Sequence, residues 1–343
     1  MTNILMILFV ILFGVVVLYG ITYSSDKKDF FCVLDAKALR GVWCIIIILV
    51  HIPYTYQNSI QDILGSFAYI GVTFFFMTSA YGLKLGVAKK ENYLRNFWKK
   101  RLPGVLIPAF TINIIGVLFE IVYEKKFSLW SFLDIDNWVK VLLLYYLIFW
   151  LCYCLPLKYT FWKDFTICIL IIFISLITKF CRWGPALNWP VESIGFIYGI
   201  IFSCVIEKYK IWSDRNWMIK TIALFLNSII VGIIYLKYKS VFFWGDYCIK
   251  LVLGGVLLLF IFQLIRRIQL KNKFILFLGG ISYEIYLLHR IIIRLFENSH
   301  CFKNSGIYVW ASVICTCLGA VCINLMSKKI MNSIKICKNR KTR

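Results

Sequence analysis

Apolar residues along this chain come in long, nearly continuous runs, not in the one-sided stripes of a soluble helix. Runs fall at 4–23, 42–57, 67–83, 104–123, 138–155, 165–180, 191–206, 217–236, 249–265, 274–296 and 306–326. A helix that is apolar all round needs apolar surroundings on every side, which means a deep core or lipid. About 20 apolar residues cross a bilayer's hydrocarbon layer, with about 17–25 usual. The pattern predicts eleven spans, of which 42–57 and 165–180 are short. The breaks are too short to fold as a soluble domain, and no repeat of 20–50 residues is visible.

Composition points the same way. The chain is 61% hydrophobic and only 16% charged, against about half and about a quarter in soluble domains. A soluble fold of this size could not hide that much apolar surface, whereas lipid acts as the solvent for it. The expected class is an all-α polytopic membrane protein. The first run has no basic segment before it and no small-x-small cleavage site after it, so it reads as a retained helix, not a signal peptide.

The net charge of +23 would suggest a polyanionic partner in a soluble protein. Here the Lys and Arg residues sort by side. One set of alternate breaks, together with the C-terminal tail, holds 27 of them and the other set holds 7. Cytoplasmic loops collect these residues, so the N-terminus is expected outside and the C-terminus in the cytoplasm, in a multi-pass protein of the cell membrane. No basic stripe is interleaved with aromatics outside the spans, and no nucleic-acid partner is expected. The 13 cysteines lie mostly within spans and lack C-x-x-C spacing. Neither a disulfide framework nor a metal site is expected.

Ionisable residues inside spans are costly and mark function by default. His51 follows Arg40 by eleven residues, which places it about 16 Å beyond a cytoplasmic mouth marked by Arg40, at mid-membrane or further. Pro53 is expected to kink the helix there. From spacing alone, a catalytic imidazole and a structural interhelical hydrogen bond are equally good readings. His289 lies within a late span. Glu120, Glu192 and Glu284 are candidate partners for His51, or for a basic neighbour such as Arg290.

Four segments, in order, resemble the membrane acyltransferase-3 family. The first is Leu39-Arg40-Gly41 through His51, an Arg, ten residues, then His. The second is Gly71-Val72-Thr73-Phe74-Phe75-Phe76-Met77-Thr78-Ser79-Ala80-Tyr81. The third is the basic stretch Phe97-Trp98-Lys99-Lys100-Arg101 leading to Pro103 and Pro108. The fourth is Ser282-Tyr283-Glu284-Ile285-Tyr286-Leu287-Leu288-His289. Two places depart from the family pattern: Gly104 stands where a second Arg is common, and Ser79-Ala80 replaces Ser-Gly.

The resemblance implies a ten-helix acyltransferase core plus one extra N-terminal helix. Residues 1–30 would form that helix and its loop, 31–330 the membrane domain, and 331–343 a basic cytoplasmic tail. It implies O-acetyl transfer from cytoplasmic acetyl-coenzyme A, a co-substrate and not a bound cofactor, to a hydroxyl of a surface polysaccharide or lipid-linked sugar precursor. His51 would be catalytic and Arg40, Lys100 and Arg101 would hold donor phosphates, since Arg presents a planar fork suited to phosphate. Ser282, Tyr286 and His289 would line the cavity. The rival expectation is a transporter or flippase of lipid-linked sugars using His51 and Arg40 as a binding pair. Oligomeric state is left open.

Overall fold

The computed structural model describes residues 2–25, 29–125, 128–182 and 189–340. Lys27, Lys28, Lys126, Lys341 and Arg343 of the charge count lie outside these. The first helices are α1 (Thr2–Leu18), α2 (Val33–Val50), α3 (Ser59–Ser66), α4 (Ala68–Lys89), α5 (Phe97–Phe119), α6 (Leu129–Leu133) and α7 (Asn137–Cys154). They are followed by α8 (Thr160–Cys181), α9 (Gly195–Asp214), α10 (Trp217–Tyr238), α11 (Lys250–Ile265), α12 (Lys273–Gly280), α13 (Ser282–Ser299) and α14 (Ser305–Arg340). Each predicted apolar run corresponds to one helix or to a consecutive pair. The chain is an all-α, multi-pass membrane protein.

Among the described residues, seven helices are long and apolar enough to cross a membrane, or eight with the α12–α13 pair counted as one span. α2 carries Asp35, Lys37 and Arg40, and α9 carries Glu207, Lys208, Lys210 and Asp214, so these two are amphiphilic rather than uniformly apolar. α1 is apolar but short.

Two expected boundaries move. α2 begins at Val33 and stops at Val50, so Arg40 lies two turns inside the helix and His51 caps its end. The expected kink is a termination. Pro53 offers no N–H, and the residue before a proline avoids helical geometry. The His51 N–H still reaches back to the Ile48 carbonyl at 3.1 Å. The expected span 274–296 is broken at Ile281, where α12 and α13 meet at 73°.

α2 sits at the centre, flanked by α3, α4, α12 and α13. Its contact with α12 is backbone-close: a Cβ on Gly279 would lie 1.7 Å from the Lys37 carbonyl oxygen, and one on Gly41 would lie 2.2 Å from that of Ile275. Small residues permit such approach between membrane helices. The α4–α9 contact is equally tight, and it accounts for Ala80. A Cβ on the facing Gly199 would lie 2.8 Å from the Ala80 Cβ, so glycine on α9 makes the room that a glycine on α4 would otherwise make.

α1 is fastened to the far end of the chain. Trp310 Nε1 donates to the Leu5 carbonyl at 3.1 Å, and Asn272 donates to that of Val16 at 2.7 Å. A two-stranded antiparallel ribbon, β1 (Ile21–Tyr23) with β2 (Ile268–Leu270), follows α1.

Candidate active site

Arg40 and His51 are eleven residues apart on or at the end of one helix. That is close to three turns, so both side chains project from one face, about 16 Å apart along the axis. A cavity opens at each.

The first cavity, of about 310 Å³, is lined by Arg40, Arg101, Thr78, Tyr146, Ser282 and Tyr286 among others. Arg40 donates to Thr78 Oγ1 from Nη2 at 2.7 Å and from Nε at 3.2 Å. Arg101 donates to the Tyr93 hydroxyl at 2.7 Å, and its guanidinium lies 6.0 Å from the Tyr146 ring centre. Both arginines are thus aimed by neutral oxygens, and neither has a carboxylate partner among the described residues. Two half-buried cations without counter-ions among the described residues are suited to meeting an anion. Gly104 also lines this cavity, and a Cβ there would meet nothing within 4 Å. The place of the missing second Arg is therefore open space. Lys100 is exposed and lies outside the cavity.

The second cavity, of about 420 Å³, is lined by His51, Gln57, Asp62, Glu192, Lys250 and Tyr286 among others. Its central charges pair with each other. Lys250 Nζ and Glu192 Oε1 are 2.5 Å apart, and the Lys250 ammonium also sits 4.8 Å from the Tyr69 ring centre. A wide π turn over Trp244–Ile249 delivers Lys250 to this position at the start of α11. Lys239, at the same cavity, donates to Ser66 Oγ at 3.2 Å. With side chains such as Gln57, Gln61 and Tyr69 beside the Lys250–Glu192 pair, the site offers both donors and acceptors, which suits a neutral polyhydroxy ligand.

Tyr286 lines both cavities and is their shared wall. Behind it lies His289, 1% exposed. The His289 ring centre is 4.7 Å from that of His51 and 5.6 Å from that of Tyr286. His289 does not line either cavity; it backs His51.

The candidate carboxylates are placed elsewhere. Glu192 faces Lys250. Glu284 accepts a hydrogen bond from Asn324 at 2.7 Å, not from Arg290. Neither bonds the His51 ring. Sequence reasoning missed Lys250, although an ionisable residue in an apolar run was a signal by the same rule that found His51. It also missed a buried Lys84–Asp164–Tyr153 network joining α4, α7 and α8, with Lys84 Nζ 2.5 Å from Asp164 and Tyr153 donating to the same carboxylate at 2.7 Å. Thr78 and Tyr146 gave no signal of their own, because their roles depend on which helix lies opposite.

No match is found among curated proteins or among solved structures. The family model for an acyltransferase domain, that of acyltransferase-3, matches residues 33–325. This stretch runs from the first residue of α2 into α14 and takes in both arginines, both histidines and Tyr286. With four motifs in order and a family match over most of its length, the chain belongs to the acyltransferase-3 family.

Proposed function

We propose that the chain is a membrane O-acetyltransferase. It takes the acetyl group of acetyl-coenzyme A from the cytoplasmic side and passes it to a hydroxyl of a cell-surface polysaccharide or a lipid-linked sugar precursor. One observation carries the reading: two chemically different cavities share Tyr286, one holding counter-ion-free arginines and the other holding His51.

In this reading Arg40 and Arg101 grip phosphates of coenzyme A, and the thioester lies toward Tyr286. Lys100 attracts the donor from the exposed rim. The sugar occupies the second cavity. His51 takes the proton of the attacking hydroxyl as its oxygen bonds the acetyl carbon. The carbon–sulfur bond then breaks, and the thiolate leaves with the proton that His51 held. The acceptor thereby gains an acetyl ester and coenzyme A is released as the thiol. The 27-to-7 distribution of basic residues supports an outside N-terminus, a cytoplasmic C-terminus and donor entry at the Arg40 end.

Mass spectrometry of surface glycan from cells with and without the protein tests the function. A mass difference of one acetyl group per modified sugar is expected. Identical glycans would overturn the acceptor class.

A further inference from the structure

The His51–His289 contact carries a more specific assignment, which rests on the functional reading above. His289 Nδ1 is hydrogen-bonded to the backbone carbonyl of Tyr286. A carbonyl oxygen can only accept, so Nδ1 carries a proton, and in the neutral ring Nε2 is then a bare lone pair. That Nε2 atom is buried and has no hydrogen-bond partner among the described residues. An acceptor in such a place is expected to have a donor. Two polar rings pack against His289: His51 at 4.7 Å, tilted by 44°, and Tyr286 at 5.6 Å between ring centres.

The two rings differ in freedom. Tyr286 is in the second turn of α13 and serves as the wall between the cavities. His51 caps the end of α2, outside helical geometry, with an exposed side chain. A small rotation about its side-chain bonds is open to it. Among the described residues, His51 also has no hydrogen bond to a carboxylate of the kind that commonly orients a working imidazole.

We infer that His289 is the positioning residue for His51. One ring N–H of His51 donates to His289 Nε2, which turns the other His51 nitrogen, as a lone pair, toward the second cavity. When that nitrogen takes the acceptor's proton, the ring becomes an imidazolium, and its N–H bond to His289 becomes charge-assisted and stronger. A neutral histidine, locked in one tautomer by a backbone carbonyl, thus fills the place usually held by a carboxylate. His289 itself neither gains nor loses a proton.

The chain has three histidines, so ring-labelled protein in bilayers gives an assignable nitrogen NMR spectrum, with His300→Gln removing the loop residue. The expected result is a protonated Nδ1 and bare Nε2 on His289, with a nitrogen–nitrogen coupling through the hydrogen bond to His51 that persists in Tyr286→Phe. A protonated Nε2 on His289, a bare Nε2 with no coupling to His51, or a His289 signal that depends on the Tyr286 hydroxyl would each overturn the assignment. Kinetics give a second arm. His289→Leu should lower kcat by about 10–100-fold, the scale seen when the group orienting a ligand imidazole is lost, and leave acetyl-coenzyme A affinity unchanged. His289→Gln, which keeps an accepting oxygen, should recover most of that loss. Equal rates in the leucine variant and the wild type would also overturn it. Coupled rings in a protein that acetylates no glycan would instead sink the functional reading and leave the pair standing.

Discussion

The two cavities along α2 handle charge in opposite ways. At Arg40 the cations are oriented by neutral partners, the Thr78 and Tyr93 hydroxyls, and left without counter-ions. At His51 the cation Lys250 is tied to Glu192, Lys239 donates to the Ser66 hydroxyl, and Asp62 is exposed. A buried charge is costly unless paired. Finding two arginines with no carboxylate partner among the described residues is therefore informative: the arrangement suits an anion that the chain does not itself supply. Pairing Lys250 within the chain suits a site that would select through hydrogen bonds. The first arrangement suits a polyphosphate and the second a polyol. Tyr286 and the His51–His289 pair stand where the two meet.

The largest effect should come from removing the chemistry while sparing both cavities. His51→Ala should insert and fold normally yet lower the rate of acetyl transfer by about 10²–10⁴-fold, the usual worth of general-base assistance. His51→Gln keeps a hydrogen-bonding side chain without the proton-accepting nitrogen and should be as inactive. A glutamine variant working at near the normal rate in a transfer assay would make His51 a structural residue.

Next is the balance of the second cavity. Lys250→Met leaves the buried Glu192 carboxylate alone and should destabilise the protein by about 3–5 kcal/mol. The double variant Lys250→Met with Glu192→Gln removes the orphan charge and should recover much of that stability. Thermal unfolding in detergent reads both. If the single variant unfolds where the wild type does, the charges are not balanced as described.

A smaller effect separates the cavity arginine from its exposed neighbour. Lys100→Ala should change donor affinity by less than about 1 kcal/mol, as exposed charges do. A larger loss than at Arg101 would move the phosphate site to the rim of the membrane.

These contrasts were only partly legible in the sequence. Apolar runs located the helices, because lipid imposes one rule on the whole circumference of a span. They misplaced the start of α2, whose first two turns carry Asp35, Lys37 and Arg40 and so look like a loop. They also missed the break at Ile281, where Gly279 and Gly280 read as ordinary members of an apolar run. The motifs named Arg40, Arg101, Tyr286 and both histidines. They gave no pairing, since His51 and His289 are far apart in sequence and meet only because α13 packs on α2. Glu192 and Lys250 were each visible as charges in apolar runs, but their pairing was not. Ion pairs between helices are set by tertiary contacts that no local pattern encodes.

The division of labour between the cavities is tested most directly by titrating acetyl-coenzyme A into purified Arg101→Ala and His51→Ala proteins. Arg101→Ala should lose donor affinity by about 1.5–3 kcal/mol, the worth of a charged hydrogen bond, with Arg101→Lys restoring only part because a point charge replaces a fork. His51→Ala should bind the donor as the wild type does. Full donor affinity in Arg101→Ala, or a loss confined to His51→Ala, would contradict it.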